Sequence, residues 1–162
     1  MTSEEMDERT VRVRDALAAL GHDVAILVVA GSTHTAEMAA AAAGCDLGQI
    51  VKTLVICVSG KPRLALVAGD RRLDDRLVAA HVGVGRKQVK LASAEQVLAL
   101  TGYAVGGVSP FGLPAPLDVL VDEGLQRFET VWVAGGTPSA IFPIALADLV
   151  RHTKGTFVAV TT

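Results

Sequence analysis

A single lysine, Lys52, interrupts an otherwise almost wholly apolar segment, IVKTLVICV at residues 50–58. Burying an ammonium group without a partner is costly, so the lysine either points to the solvent face of a strand or is held at the floor of a cleft. In a cleft, the cation would be offered to a phosphate or to an oxyanion that develops during a reaction. The sequence leaves both interpretations open.

A second chemically suggestive segment is GYAVGGVSPFGLPAP at residues 102–116. The paired Gly106 and Gly107 permit positive φ and a close approach of the backbone to a ligand. Several N–H groups of such a loop can donate to one anionic oxygen, and Ser109 adds a hydroxyl. The alternative is an ordinary glycine- and proline-rich connection between a helix and a strand, although loops of this length are often functional.

Several common catalytic motifs are absent from the sequence. There is no phosphate-binding loop, and GVGRKQ at 83–88 lacks the third glycine of a dinucleotide fingerprint. Ser109 does not lie in a G-x-S-x-G motif, and Pro110 follows it, which disfavours a serine hydrolase. The four histidines lack the spacing of a metal motif, so we expect neither a metal nor a cofactor; they are His22, His34, His81 and His152.

The hydrophobic pattern predicts the elements that must position these residues. We expect helices at 6–20, 36–43, after Asp74, at 94–100 and at 145–152, and strands at 24–30, 50–58, 63–69, 88–92, 118–121, 130–134, 139–143 and 156–160. Successive strands are joined by hairpins as well as by helices. The expected fold class is therefore α/β of the α+β kind, with a curved, mixed, mainly antiparallel sheet surrounded by helices. We expect one domain over 1–162, with an N-terminal helix in 1–23 and a core over 24–160.

Composition and charge exclude several classes of protein. The chain has 162 residues, of which 51% are hydrophobic and 20% charged, so it is not disordered. A net charge of −2 disfavours a protein that grips duplex DNA. The longest apolar run, 24–30, is far short of the about 20 residues that span a bilayer. Cys45 and Cys57 fit no disulfide or zinc pattern, and we expect a cytoplasmic protein with no membrane or DNA partner.

Five segments in succession carry a resemblance to a known family. They are QIVKTLV, LALVAGDRRLD, LASAEQVLALTGYAVGGVSPFG, VWVAGG and ALADLVRHT. Together they resemble the YbaK/EbsC family of aminoacyl-tRNA deacylases, which is related to the editing domain inserted in some prolyl-tRNA synthetases. The resemblance covers about residues 24–160. It implies the mixed α/β fold and hydrolysis of the ester that links a wrong amino acid to a tRNA, with alanine or cysteine on a proline tRNA as candidate substrates.

The resemblance also implies roles for individual residues. Lys52 matches the family's essential lysine, and the GG-x-SP loop and a later glycine pair, Gly135 and Gly136, are matched as well. We assign catalysis to Lys52, Gly106 and Gly107, and substrate binding to His34, Thr53, Ser109, Pro110, Gly135 and Asp148. Asp148 matches an acidic position near the pocket, although a helix first turn also favours a solvated carboxylate. His34 stands where relatives carry an apolar or aromatic residue, so the amino-acid specificity stays open.

The resemblance leads to a mechanism and to two alternatives. Backbone N–H groups near Gly106 and Gly107 would stabilise the tetrahedral oxyanion, Lys52 would hold the carbonyl or a terminal phosphate, and water or a substrate group would be the nucleophile. The expected partners are the acceptor end of an aminoacylated tRNA and an aminoacyl-tRNA synthetase. One alternative is a binding module of the same fold that has lost catalysis. The other is a hydrolase of small acyl esters.

Overall fold

The computed structural model of the chain describes residues 6–29 and 35–162. These ranges contain the helices α1 (Glu8–Ala19), α2 (Ala36–Ala43), α3 (Asp75–Val82), α4 (Ala94–Thr101) and α5 (Leu146–Thr153). They contain the strands β1 (Leu27–Val28), β2 (Val51–Val58), β3 (Lys61–Ala68), β4 (Val89–Leu91), β5 (Asp118–Asp122), β6 (Thr130–Ala134), β7 (Ala140–Ala145) and β8 (Thr156–Val158). Short 3₁₀ helices at Leu47–Gln49, Arg86–Gln88 and Glu123–Arg127 precede β2, β4 and β6.

The strands divide into two sheets. One sheet has the order β4-β2-β3-β5-β8, and the other has the order β1-β7-β6. The pairs β2–β3, β2–β4, β1–β7 and β6–β7 are antiparallel, and β3–β5 and β5–β8 are parallel. The prediction of a mixed, mainly antiparallel architecture is therefore confirmed. The sheets meet at a parallel bridge between Ile50 and Trp132, which a hydrophobic pattern does not reveal.

The hairpin of β2 and β3 fixes the position of Lys52. Val58 lies opposite Lys61, and the turn between them consists of Ser59 and Gly60, with φ of 51° and 80°. Two residues with positive φ are the signature of a tight hairpin turn whose twist matches that of the strands. The turn is therefore shorter than the expected 59–62, because Lys61 already pairs in β3. This register places Lys52 opposite Val67, near the end of the hairpin remote from the turn.

Both faces of β3 are buried. Leu64 and Leu66 face the main core, and Ala65 and Val67 face a second core, where Val78 of α3 also packs. A strand that is buried on both faces has a continuous apolar sequence, as residues 64–68 do. The five-stranded sheet is therefore covered on both sides.

Both terminal segments pack against the rest of the molecule. Val13 and Leu17 of α1 are fully buried in the main core, together with Phe142 of β7. At the other end, the N–H of Thr162 donates to the carbonyl of Arg72 (3.0 Å), directly after β3. None of the helices within 6–29 and 35–162 combines the length and apolar character that a bilayer crossing requires.

Local capping signals in the sequence predict the helix ends well. The side chain of Thr35 accepts the N–H of Met38 at the start of α2, and Ser93 and Gln96 form a capping box at the start of α4. The terminal strands are shorter than predicted. The strand expected at 24–30 is reduced to β1, an edge strand that pairs only with β7, and that expected at 156–160 ends at Val158.

Candidate active site

A cavity of about 330 Å³ lies where the two sheets meet. Strands β2, β6 and β7 contribute to its wall, as do α2, α4 and the loop between α4 and β5. The wall is mainly apolar, with side chains such as Val55, Val97 and Ile141. Among the lining residues that the structure describes, Lys52 alone carries a charge. The cavity therefore combines an apolar surface with one cation, as small-ligand sites often do.

Lys52 projects from β2 into the wall of this cavity and is half-buried. Its Nζ donates to the carbonyl of Arg71, which uses one of the three donors of the ammonium group. Burial lowers the pKa of Lys52 below its ordinary value, and Arg72 adds to the lowering, whereas Glu37 and Asp70 oppose it. A partly desolvated cation attracts an anionic oxygen more strongly than a fully hydrated one. This environment matches the cleft interpretation of Lys52.

The carbonyl of Arg71, which accepts the hydrogen bond from Lys52, belongs to a turn that an ion pair restrains. Arg127 forms a bidentate ion pair with Asp70 (2.7 and 2.8 Å), and its Nε donates to the carbonyl of Gly124 (2.6 Å). The hydrogen bonds from Arg127 lower the pKa of Asp70. Bidentate arginine–carboxylate pairs have a defined geometry. The ion pair therefore restrains residues 70–71, and through the Arg71 carbonyl it restrains the lysine.

Thr53 lies next to Lys52 at the open edge of β2, where none of the described strands pairs with it. Strand β4 pairs with β2 only from Ile56 to Val58, and the carbonyl of Val55 accepts the N–H of Ala92 (3.0 Å). Because backbone groups alternate between the two edges of an antiparallel strand, Thr53 directs its N–H and C=O to the same edge as Val55. Its Oγ1 is buried and has no hydrogen-bond partner among the described residues. Thr53 thus brings polar groups to the cavity wall.

The two glycines of the GG-x-SP loop have different surroundings. Gly106 has φ of +92° and lines the cavity. Gly107 lies against the β6–β7 turn, where an added Cβ would be 2.8 Å from Cα of Thr137. The N–H of Gly107 donates to the carbonyl of Ala104 (3.0 Å). This N–H is therefore engaged within the loop, and Gly106 is the member of the pair in the cavity wall.

Ser109 and Pro110, the last two residues of the GG-x-SP loop, lie in the interior of the molecule. Both are buried and neither is among the lining residues. The Oγ of Ser109 accepts the N–H of Phe111 (3.3 Å), and the hydroxyl of Tyr103 donates to the carbonyl of Phe111. These bonds fix the path of the loop. A substrate contact by Ser109 or Pro110 stays a prediction.

The glycine pair after β6 shapes a turn that borders the cavity. The N–H of Gly135 donates to the carbonyl of Ala140 (2.7 Å). Gly136 has φ of +96°, and a Cβ there would lie 2.8 Å from the backbone of Arg9 in α1. The glycines permit this close approach, and the next two residues, 137 and 138, line the cavity. Gly135 therefore acts through the turn, and its assignment to substrate binding stays a prediction.

Two further predicted residues are not brought to the cavity by the described structure. Asp148 lies on α5, where its carboxylate pairs with Arg151 (2.8 Å) and lies close to His22 and His152; it is not a lining residue. His34 lies outside the described residues, although Thr35, which follows it, lines the cavity. The association of both residues with substrate stays a prediction.

The sequence analysis misses several residues of the cavity wall. Trp132 and Thr137 line it, and so do Leu91 and Val105, whose exposed fractions are 67% and 63%. Exposure of two large apolar side chains places them at the rim. The segment TPS directly after Gly135–Gly136 is a signal that would have indicated the Thr137 turn. The wall positions of Leu91 and Trp132 depend on how the sheets meet.

Comparisons with known proteins find relatives among proteins of tRNA editing and aminoacylation. A family described as the aminoacyl-tRNA editing domain matches residues 30–152. EbsC of Enterococcus faecalis, named as a candidate Cys-tRNA(Pro)/Cys-tRNA(Cys) deacylase, is 31% identical over 130 residues, which cover 79% of this chain and 77% of EbsC. A proline–tRNA ligase of Maridesulfovibrio salexigens is 40% identical over 102 residues, which cover 63% of this chain and 17% of the ligase.

A solved structure is similar over nearly the whole chain. It is the crystal structure of a protein described as a candidate trans-editing enzyme for prolyl tRNA synthetase. The TM-score is 0.91 at 36% sequence identity, and the match covers 98% of this chain and 99% of that chain. At this level of identity and coverage, the similarity extends from the fold to the sequence.

Proposed function

The chain belongs to the aminoacyl-tRNA editing domain family and is an aminoacyl-tRNA deacylase, and we propose that it acts in trans on tRNA that carries a wrong amino acid. The bond that breaks is the ester between the carboxyl group of the amino acid and a ribose hydroxyl of the terminal nucleotide. Water adds to the carbonyl carbon, and the ester C–O bond then breaks. The ribose oxygen receives a proton that water supplies, and the products are the free amino acid and intact tRNA.

The observation that carries this proposal is the position of Lys52. Lys52 carries the one charge among the described residues of the cavity wall. It lies next to the open edge of β2 and opposite an apolar surface. Ester hydrolysis develops negative charge on the carbonyl oxygen, and a fixed cation that is already partly desolvated stabilises that charge without reorganisation. In this proposal, the donors of Lys52 that Arg71 does not use bind the oxyanion or a phosphate of the terminal nucleotide.

Water, or a group of the substrate itself, is the proposed nucleophile. The lining residues that the structure describes include no histidine, cysteine or carboxylate, and their hydroxyls belong to Thr35, Thr53 and Thr137. A hydroxyl without a neighbouring base is a weak nucleophile. The side chains of the wall thus position and polarise the ester, and the attacking oxygen comes from outside the protein.

A small amino acid is the proposed substrate. A volume of about 330 Å³ is at the low end of the range for ligand sites. The apolar wall of Val55, Val97 and Ile141 suits the side chain of alanine or cysteine, and Gly106 permits close approach of the ester. The names of EbsC and of the proline–tRNA ligase support proline tRNA as the carrier.

We propose that the protein contacts only the acceptor end of the tRNA. The net charge of −2 allows few phosphates to be neutralised at once. Arg71, Arg72 and Arg76 are close in sequence after β3, and Arg72 is near enough to Lys52 to influence its pKa. In this proposal, Arg72 is the first candidate for a contact with a terminal phosphate. A prolyl-tRNA synthetase is the proposed second partner, and the cytoplasm the proposed compartment.

A panel of mischarged tRNAs tests the proposal. Proline tRNA carrying alanine, cysteine or serine is incubated with the protein, and release of the amino acid is followed beside prolyl-tRNA and free aminoacyl methyl esters. We expect rapid release of a small wrong amino acid, little release of proline, and slow hydrolysis of the methyl esters. Release from no tRNA, with tight binding retained, would favour an inactive binding module. Equal turnover of methyl esters and tRNA would favour a small-ester hydrolase.

A further inference from the structure

Two histidines that are far apart in the sequence meet on the side of the molecule formed by α1 and α5. The Nε2 atoms of His22 and His152 are 2.6 Å apart, and their rings are nearly perpendicular with centroids 4.6 Å apart. One ring nitrogen of each histidine and one carboxylate oxygen of Asp148 all lie within 4.8 Å of one another. All three side chains are partly accessible to solvent, and none of them lines the cavity described above.

The backbone holds these side chains in place from two helices. His22 follows the end of α1, where its N–H donates to the carbonyl of Leu17 (2.9 Å) and that of Gly21 donates to Ala18 (3.0 Å). With Gly21 at φ of +85°, this is a Schellman turn, which fixes the direction of the chain after the helix. Asp148 and His152 are four residues apart on α5 and therefore share one face. The site is thus built from the turn that follows α1 and from one face of α5.

Two imidazole nitrogens at this separation share one proton in a hydrogen bond, so one ring donates and the other accepts. Two protonated rings cannot face each other in this way, because both nitrogens would then be donors. Two imidazole nitrogens and one carboxylate oxygen are also a donor set that Zn²⁺ and related ions prefer. Tetrahedral coordination with the usual bond lengths needs about 3.3 Å between the nitrogens, so the rings would separate slightly from the observed 2.6 Å.

We propose that His22, Asp148 and His152 form a binding site for a divalent transition-metal ion, with water as the fourth ligand. The positive charge of Arg151 disfavours binding of a metal ion at this site. The Nη2 of Arg151 is 2.8 Å from Asp148 Oδ1 and 3.5 Å from His152 Nε2. The Arg151 side chain is 67% exposed, so it can turn into solvent when the ion binds. The C-terminal end of α5 favours positive charge and supports the site.

The site joins the N-terminal helix to the body of the molecule. His22 lies outside residues 30–152, which match the editing family, and His152 is the last of those residues. A bound ion would therefore tie α1, which packs against the GG-x-SP loop through Arg12 and Tyr103, to α5. The spacing of the histidines in the sequence predicts no metal site, because the common metal motifs place their ligands close together in the chain. That expectation does not reach a site whose histidines are brought together by folding.

Titration of the untagged full-length protein with ZnCl₂ tests the proposal. After treatment with EDTA, calorimetry is expected to show one ion per chain, and Co²⁺ should give the visible absorption of a tetrahedral site. His22→Ala and His152→Ala should each weaken binding at least tenfold, whereas His81→Ala, at an exposed position on α3, should not. Arg151→Gln should tighten binding several-fold, because it removes the opposing charge.

Thermal unfolding supplies an independent readout. At 100 times the wild-type dissociation constant, Zn²⁺ should raise the Tm of the wild type by about 5–10 °C and that of His152→Ala by at most about half as much. His152→Gln provides a second variant in case the alanine variant is poorly folded, because the glutamine side chain is similar to histidine in size and polarity. Absence of binding, or binding that is equally tight in the His22 and His152 variants, would overturn the proposal.

Discussion

The Lys52 cavity and the histidine cluster between α1 and α5 differ in how the chain assembles them. Two of the cavity's main components, the strand around Lys52 and the loop at Gly106, are each continuous stretches with a distinctive local sequence. The histidine cluster joins His22 to His152, with nearly the whole chain between them. The first kind of site leaves a motif in the sequence. The second leaves only isolated residues whose proximity depends on the fold.

The two regions also differ in their surroundings. Lys52 is a cation in an apolar wall. Its ammonium group donates one hydrogen bond, to the carbonyl of Arg71 in the turn that the Asp70–Arg127 ion pair restrains, and its other donors are available to a substrate. The histidines face each other, an arginine and a carboxylate, in a place that solvent reaches. We therefore expect substitutions in the cavity to act on the reaction, and substitutions in the cluster to act on stability and its dependence on pH or metal.

Substitution of Lys52 should give the largest effect on the reaction. Lys52→Ala is expected to lower the rate of deacylation by about 10²–10³-fold, the usual loss when one preorganised oxyanion partner is removed. Lys52→Arg should restore little, because a planar guanidinium does not replace an ammonium group. Single-turnover hydrolysis of the best mischarged tRNA measures both. Lys90→Ala, at an exposed position of β4, is the matched control, and wild-type turnover by Lys52→Ala would refute the assignment.

Substitution of the loop glycines should affect both stability and rate. In Gly107→Val the new Cβ would lie 2.8 Å from the Thr137 backbone, and such overpacking costs about 1–3 kcal/mol. Gly106→Val meets only Pro138 at 3.8 Å, so its penalty comes from positive φ. We expect Gly107→Val to lose more thermal stability, and Gly106→Val to lose proportionally more rate. Equal losses in both quantities for both variants would mean that the loop is only structural.

Ser109→Ala should have a moderate effect. It removes the acceptor for the N–H of Phe111, and one neutral hydrogen bond is worth about 1 kcal/mol. We expect the deacylation rate to fall about tenfold or less, with a small decrease in Tm. Complete loss of activity with an unchanged Tm would instead indicate that the serine acts directly on the substrate.

Thr53→Val separates binding from stability at the open edge of β2. The substitution is nearly isosteric, and the Thr53 hydroxyl that it removes has no partner among the described residues, so the free energy of unfolding should not fall. If that hydroxyl binds the substrate, KM should rise about fivefold, the equivalent of one hydrogen bond. Steady-state kinetics measures this change against Thr156→Val, at an exposed position on β8. An unchanged KM would remove Thr53 from the substrate site.

Acid should weaken the contact of the two histidines by a small amount. Burial, with added repulsion from His22 and Arg151, lowers the pKa of His152 below 6.5, while Asp148 opposes this shift. Because the folded state disfavours protonation, the stabilisation is complete above pH 6.5 and is lost as the pH falls through the lowered pKa. Between pH 7.5 and 5, in metal-free buffer, the Tm of the wild type should fall further than that of His152→Gln. Parallel curves would contradict this expectation.

The sequence predicts most of the elements because their signals are local. The capping box of Ser93 and Gln96, the cap at Thr35 and the apolar run of β3 each act within a few residues. The division into two sheets is not predictable in this way, since it depends on the pairing of β1 with β7 across most of the chain. An edge strand of two paired residues, such as β1, also has too little periodicity to define its ends.

The same distinction applies to the candidate site. Lys52 is conspicuous because a charge interrupts an apolar strand, and Gly106 because a glycine pair interrupts a loop. Asp148 follows from resemblance alone, and its pairing with Arg151 is an i,i+3 contact within the helix that the sequence predicts at 145–152. The bonds of Gly107 to Ala104 and of Ser109 to Phe111 are made within a loop without regular structure. No periodic rule predicts which polar groups of such a loop face a ligand.

The bridge between Ile50 and Trp132 has a consequence for the order of folding. The hairpin that carries Lys52 closes over a two-residue turn. The three-stranded sheet needs the pairing of β1 with β7, which are far apart in the sequence. The formation of such contacts slows as the sequence separation of the paired residues increases. At a stage of folding when only the hairpin of β2 and β3 has formed, Lys52 is therefore in place but the cavity around it is not. Trp132, the one tryptophan of the sequence, lies at the junction. Its fluorescence during refolding thus marks the moment at which the two sheets dock and activity becomes possible.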